Sequence, residues 1–207
     1  LALFLAFAHS EHLHLQMPRA LIEPIAKRLR MYVMRSKVNI QDVSESIIKI
    51  GLQGSHAAEM LNPLFNSLPQ NAFDLVTHDN GALIMLPGDT PRFEIFTNIE
   101  NAQNIWKTLS KQAKTVDANY WEHLEIQAGI PEVYPATQET FVPQMLNLDL
   151  LNGINFKKGC YTGQEIVART HYLGTVKRRT QLAHMDTSVQ PNTGDDVVNS
   201  NQEIVGK

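Results

Sequence analysis

Two apolar runs flank Asp79-Asn80-Gly81, and this is the feature that most constrains the fold. Phe73–His78 and Ala82–Leu86 each have strand length, and asparagine and glycine tolerate the backbone angles of a tight turn. A β-hairpin is therefore expected at the centre of the chain. Around it, Ile47–Leu52 is a short apolar run and Arg92-Phe93-Glu94-Ile95-Phe96 alternates with period two, so two more strands are expected. Ser55 is a candidate N-cap for a helix over 56–65, and Glu100–Val116 reads as a helix with Ile105, Trp106 and Leu109 on its apolar stripe. This order predicts an α+β domain with helices over one face of an antiparallel sheet.

The flanks extend the pattern. Residues 1–8 and 12–16 read as strands joined at Ser10-Glu11, and Pro18 opens a helix running to about Arg35. Lys37–Val43 alternates and predicts another strand. A helix is expected over 119–128, ended by Gly129-Ile130-Pro131. Residues 132–160 read as a long ordered connection with one short helix near Pro143–Leu148, and Gly163–His171 as a helix. Val176–Met185, Asp195–Val198 and Gln202–Val205 suggest strands of a further β domain. The first residue lies in a structured-looking segment and the last five look like a strand, so a fragment of a longer protein is expected.

The chain has 207 residues, is 43% hydrophobic and 19% charged, and carries a net charge of −3. This is globular composition, long enough to bury a core, and it disfavours wholesale electrostatic binding of nucleic acid. Eight apolar residues at the start are too few to cross a bilayer, and no other segment is apolar enough, so no membrane partner is expected. The one cysteine fits a reducing compartment, and a cytoplasmic location is expected.

That cysteine, Cys160, cannot form an internal disulfide. It is either a buried small hydrophobe or a reactive group. Lys157 and Lys158 precede it and a helix is expected to start just after it; both features favour a thiolate. Gly159 and Gly163 permit tight turns on either side. Glu165 and Arg169 stand four apart, so they can pair on a helix, or Arg169 can meet an anionic ligand with Glu165 orienting it. Lys177-Arg178-Arg179 is a basic triplet, a solvated edge or a local RNA contact. The eight histidines form no metal-binding pattern, and no metal site is expected. Phosphate-loop, dinucleotide and serine-hydrolase motifs are absent.

The string Phe156-Lys157-Lys158-Gly159-Cys160-Tyr161-Thr162-Gly163-Gln164-Glu165-Ile166-Val167-Ala168-Arg169 resembles the signature of the YgfZ family. Gly129-Ile130-Pro131, Gln144–Leu148, Leu173-Gly174 and Lys177-Arg178-Arg179 match as well, so the close likeness covers roughly 121–180. These are folate-binding, iron–sulfur-cluster maintenance proteins, also described as tRNA-modifying, and related to the glycine cleavage T-protein. The resemblance implies a T-protein-like multi-domain fold. Residues 1–44 would end a first α+β domain, 45–172 would form a second one with the signature loop at 156–169, and 173–207 would begin a C-terminal β-barrel.

It also implies a tetrahydrofolate cofactor and iron–sulfur client enzymes as partners, with weak tRNA contact an open alternative. Cys160 becomes the candidate catalytic residue. Trp121, Gln127, Lys158, Tyr161, Gln164, Glu165 and Arg169 become the candidate folate-binding residues. Two further readings stay open: a folate-dependent aminomethyl or one-carbon transferase, and a tRNA-binding module using Arg169, Lys177, Arg178 and Arg179. One departure matters. Many relatives carry an acid where this chain has Gln127, and the T-protein uses an acid there to hold the pterin. An amide both donates and accepts but cannot give a charge-assisted bond, so weaker folate binding is expected.

Overall fold

The computed structural model describes residues 2–186, 188 and 190–207. It is an α+β structure with antiparallel sheets, and the chain divides into two compact units. One comprises Phe4–Met17 and Ile22–Ala128. The other is chiefly Gly129–Lys207 and takes in Pro18–Leu21. The division falls at Ala128/Gly129, inside the stretch 45–172 that the sequence reading treats as one domain.

The first unit holds a β-hairpin of β1 (Leu5–His9) and β2 (His12–Gln16). Helix α1 (Arg19–Arg30) follows, its residues from Ile22 onward belonging to this unit. Next come β3 (Ile48–Gln53), α2 (Ala57–Leu61), β4 (Leu75–His78), β5 (Gly81–Leu86) and β6 (Arg92–Thr97). Helices α3 (Ile99–Leu109) and α4 (Ala118–Gln127) complete it. The four central strands form one antiparallel sheet in the order β3-β6-β5-β4.

The expected hairpin is present, with His78 opposite Gly81. Gly81 has φ 134°, and a Cβ there would lie 2.2 Å from the Phe96 carbonyl oxygen, so two independent constraints select glycine. The turn is tied down by Asn80, whose amide donates to the Leu64 carbonyl (2.6 Å) and whose carbonyl accepts from Thr97 Oγ1 (2.5 Å).

Strand alternation divides the sheet's side chains between two buried faces. Ile50, Leu52, Leu83, Phe93 and Ile95 pack with Ala57 and Leu61 of α2 and with Ala102, Ile105 and Leu109 of α3. This is the helix-covered face that the sequence predicts. The other face is buried too. Ala82, Ile84, Leu86 and Phe96 meet Phe7 and Leu5 of the β-hairpin and Trp121 of α4. Every residue of β6 is consequently buried, Arg92 and Glu94 included.

Asn98 caps α3 by accepting from the Asn101 N–H (2.8 Å), and Asp117 caps α4 by accepting from Tyr120 N–H (2.9 Å). Five local expectations fail. The first helix stops at Arg30 instead of Arg35, α2 stops at Leu61 instead of residue 65, and α3 stops at Leu109 instead of Val116. Ser55 does not cap α2; His56 holds that position without a side-chain bond. The alternating segment Lys37–Val43 forms no strand, because no neighbouring strand takes up its backbone groups; the Ile40 carbonyl accepts from Arg30 instead (2.8 Å).

The second unit has little regular structure: short 3₁₀ turns at Pro135–Thr137 and Pro143–Leu146, helix α5 (Gln164–Tyr172), and a two-stranded pair of β7 (Val197–Val198) and β8 (Ile204–Gly206). The strand expected over Val176–Met185 is absent. Thr180 shows why: its N–H donates to the Met145 carbonyl (2.7 Å) and its carbonyl accepts from the Asn147 amide (2.9 Å), so irregular chain satisfies the groups a strand partner would have used.

Candidate functional site

The signature segment is built by local hydrogen bonds ahead of α5. Asn155 Oδ1 accepts from the Lys157 N–H (2.9 Å), which bends the chain before the lysine pair. Tyr161 and Gln164 close on each other: the Tyr161 N–H donates to Gln164 Oε1 (3.3 Å), and the Gln164 N–H donates to the Tyr161 carbonyl (3.1 Å). Gly163 enters the helix at φ 89°, which a side chain would resist. Lys158 Nζ stands 4.6 Å from the centre of the Tyr161 ring, within cation–π range.

Cys160 lies between these contacts and is exposed. The reading of it as a buried small hydrophobe is thereby set aside. Lys157, Lys158 and Gly159 beside it are exposed as well, and no heavy atom stands within 4 Å of where a Cβ would project from Gly159 or Gly163. The exposed thiol thus follows two exposed lysines in the chain.

Helix α5 is anchored beneath by Val167, which is buried and whose carbonyl accepts from the Gln144 amide (2.7 Å). Glu165 and Arg169 are both exposed on it and form no ion pair with each other among the described residues. Arg169 is thus left facing solvent. Of the expected site residues, Lys158 meets Tyr161 and Tyr161 meets Gln164, while Glu165 and Arg169 are exposed on α5.

Trp121 and Gln127 belong to α4 in the other unit. Gln127 is exposed in the last turn. Trp121 is engaged in packing. Its ring lies so close over Gly51 that a Cβ there would stand 2.6 Å away, the Arg92 guanidinium sits 4.8 Å from its centre, and its Nε1–H donates to Glu94 (3.1 Å).

Those contacts belong to a buried charged cluster that sequence reading missed. Arg92 and Glu94 are each 1% exposed. Arg92 Nη1 donates to the carbonyls of Pro87 and Leu124 (3.0 Å each), and Nη2 donates to Glu125 (2.9 Å). Lys49 Nζ approaches Glu94 at 2.9 Å. Burial pushes the Glu125 carboxyl up from its ordinary 4.5; Glu94 pushes the same way, while Arg92 and Lys49 oppose it. The available signal was the alternation Arg92-Phe93-Glu94-Ile95-Phe96, whose polar positions a second covering layer converts from solvent-facing to buried.

Elsewhere in this unit a shallow cleft of about 180 Å³ lies between the β-hairpin and the sheet, lined in part by Phe7, His9, His14, Asp79 and Phe96. The His14 ring stacks on Phe7 (centroids 5.1 Å, 15° between planes), and burial holds its pKa below the ordinary 6.5. Among the described residues no group of His, Cys, Asp and Glu is placed to hold a metal ion, and no helix is long and apolar enough to cross a membrane.

No family model matches the chain. Curated relatives do. It is 35% identical over 179 residues to the "tRNA-modifying protein YgfZ" of Yersinia pseudotuberculosis serotype IB, a match covering 86% of this chain and 54% of that protein. The chain belongs to the YgfZ family. The same-named protein of Yersinia pestis strain Pestoides F matches at 35% with the same coverage, and that of Klebsiella pneumoniae strain 342 at 34%. The chain spans about half the length of the YgfZ relatives it matches.

Proposed function

We propose that this chain is part of a folate-dependent accessory factor that helps assemble or repair iron–sulfur enzymes, including tRNA-modifying ones, with Cys160 as its reacting group. The observation that carries this reading is the exposed thiol of Cys160, which lies in the chain between Lys158 and Tyr161. A structural cysteine would be buried; an exposed one beside cations is suited to nucleophilic or redox chemistry. The name of the relatives, tRNA-modifying, is compatible with an effect exerted through client enzymes.

Within each unit, taken by itself, there are residues of a type that suits tetrahydrofolate. In one, Lys158 and Arg169 are exposed cations suited to carboxylates; in the other, the exposed Gln127 amide can both donate to and accept from a pterin edge. When bound, the folate would supply one-carbon chemistry. The reading extends to a T-protein-like fold in which residues 1–44 end a first α+β domain, 45–172 form a second and 173–207 begin a C-terminal β-barrel, and to a cytoplasmic location.

The test is complementation in cells lacking the full-length protein. Cys160→Ala is expected to fold normally and to lose support of iron–sulfur client activity. Full complementation by that variant removes the thiol from the mechanism. Tetrahydrofolate-dependent turnover of an aminomethyl or N-methyl donor by the purified protein would replace this reading with a transferase.

A further inference from the structure

The β1–β2 hairpin rests on the sheet through very little. Within its two strands only Phe7 is buried, and the Phe7 ring meets Phe96 of β6 with centroids 4.6 Å apart. The cleft of about 180 Å³ lies beside this contact. Phe7, His9 and His14 line its hairpin side and Gly81, Phe96 and Thr97 its sheet side, so this part of the second layer is incompletely packed.

The single buried ring is joined to a cluster of histidines. Cross-strand pairing sets His14 opposite Phe7 and His12 opposite His9. The His14 imidazole stacks on Phe7, with centroids 5.1 Å apart, and stands 6.2 Å from the His9 ring and 6.3 Å from the His12 ring. His9 Nε2 meets Ser10 Oγ (3.2 Å), while His9 Nδ1 is buried and has no hydrogen-bond partner among the described residues. The other charged groups nearby are few. Glu11 is exposed at the hairpin turn, and Asp79 of the β4–β5 turn is the one carboxylate lining the cleft. On the sheet, Lys49 of β3 and Glu94 of β6 pair with each other at 2.9 Å. Ser46 and Ile47 before β3, and Asn98 and Asn101 at the start of α3, do not titrate. Burial is the largest influence on His14 and holds it below the ordinary 6.5; the His9 and His12 rings push the same way, and a hydrogen bond with the His9 backbone opposes them.

We propose that the β1–β2 hairpin is a proton-operated cover, closed on the sheet while His14 is neutral and released when His14 is protonated, so that Phe7 lifts away and Ala82, Ile84 and Phe96 are uncovered. The geometry supplies the mechanism, because the imidazole that takes the proton is stacked on the one ring that seats the hairpin. A folded-state value below the unfolded one means that the open hairpin takes up the proton more readily. Closure is therefore complete above pH 6.5 and weakens as pH falls from 6.5 towards the folded value. The ratio of open to closed rises about tenfold for each unit by which closure holds His14 below 6.5.

The test joins two measurements on the whole chain. One is NMR titration of the His14 ring. The other is amide hydrogen exchange from about pH 7.5 to about pH 5, corrected for the intrinsic pH dependence of exchange. Protection of the β1 and β2 amides is expected to fall with pH by the factor that the measured His14 value dictates, while protection of β5 and β6 stays constant. His14→Phe keeps a ring against Phe7 and cannot titrate, so its hairpin should stay equally protected at both ends of the range. His14→Gln, neutral and able to hydrogen-bond, gives the same comparison should the phenylalanine variant fail to fold. Hairpin protection that does not change with pH overturns the proposal. So does an unchanged pH dependence in the His14 variants. Loss of protection in β5 and β6 in step with the hairpin also overturns it, since that marks unfolding of the whole unit.

Discussion

At the scale of single residues, Arg179 and Asp149 show how little a sequence says about which member of a charge run is anchored. Lys177, Arg178 and Arg179 are chemically alike in the chain, yet only Arg179 is half-buried against a carboxylate thirty residues away. Its bidentate grip holds the Asp149 carboxyl below the ordinary 3.8, the hydrogen bonds from Arg179 being the largest cause. A depressed folded-state value means that the pair contributes above the unfolded value and is lost as pH falls through the folded one. Acid titration by circular dichroism should therefore show loss of structure beginning below pH 3.8, and Asp149→Asn should remove that component while lowering stability at neutral pH. Gly81 makes the opposite point, because it was legible: Asp-Asn-Gly between apolar runs announces a turn. Gly81→Ala is expected to cost more than about 2 kcal/mol in thermal or denaturant unfolding, since the added methyl meets backbone and not a movable side chain.

At the scale of elements, strands and helices with strong period were readable and their environment was not. β5 and β6 followed from hydrophobic pattern, whereas the second layer over them depends on where the β1–β2 hairpin and α4 fold back, which no local pattern encodes. Helix α4 has a single buried apolar residue, Leu124, so an apolar stripe does not seat it. Arg92 seats it, through Trp121, Leu124 and Glu125 at successive positions on one helix face. Removing the guanidinium leaves the buried Glu94 and the partly buried Glu125 with Lys49 as their neighbouring cation. Arg92→Met is expected to destabilise this unit by about 3–5 kcal/mol. In a Trp106→Phe background it should also change the fluorescence of Trp121, the remaining tryptophan. Glu125→Gln should be much milder, because burial outweighs Arg92 in setting the Glu125 carboxyl. Its raised value means that ionisation opposes folding, so the parent chain should lose stability as pH rises above 4.5 through the folded value, and Glu125→Gln should flatten that slope. Equal losses from the two substitutions would show that the ion pair, and not the arginine's reach, holds the helix.

At the scale of the whole molecule, a candidate site and family membership were legible where distinctive residues are concentrated in sequence, and the buried charged cluster, whose members are spread along the chain, was not. Lys157–Glu165 declared itself because a lone thiol, two lysines and two glycines fall within nine residues, and the structure leaves that thiol exposed. Residues 37–43 and 176–185 misled because alternation alone cannot supply a strand partner. Gln127 is the remaining test of how far family resemblance carries to this chain. An amide at a position where an acid would hold the pterin exchanges a charge-assisted hydrogen bond for a neutral one of roughly half the strength. Gln127→Glu is therefore expected to tighten tetrahydrofolate binding about tenfold in isothermal titration of the full-length protein, and Gln127→Ala to weaken it. Because Gln127 is exposed, neither change should move the thermal midpoint without ligand by more than a degree or two. Cys160→Ala should leave the affinity as it is and remove only the downstream effect on client enzymes, since a reacting group need not contribute to ground-state binding. Unchanged affinity across all three variants would separate this chain from folate and leave the exposed thiol acting on another molecule.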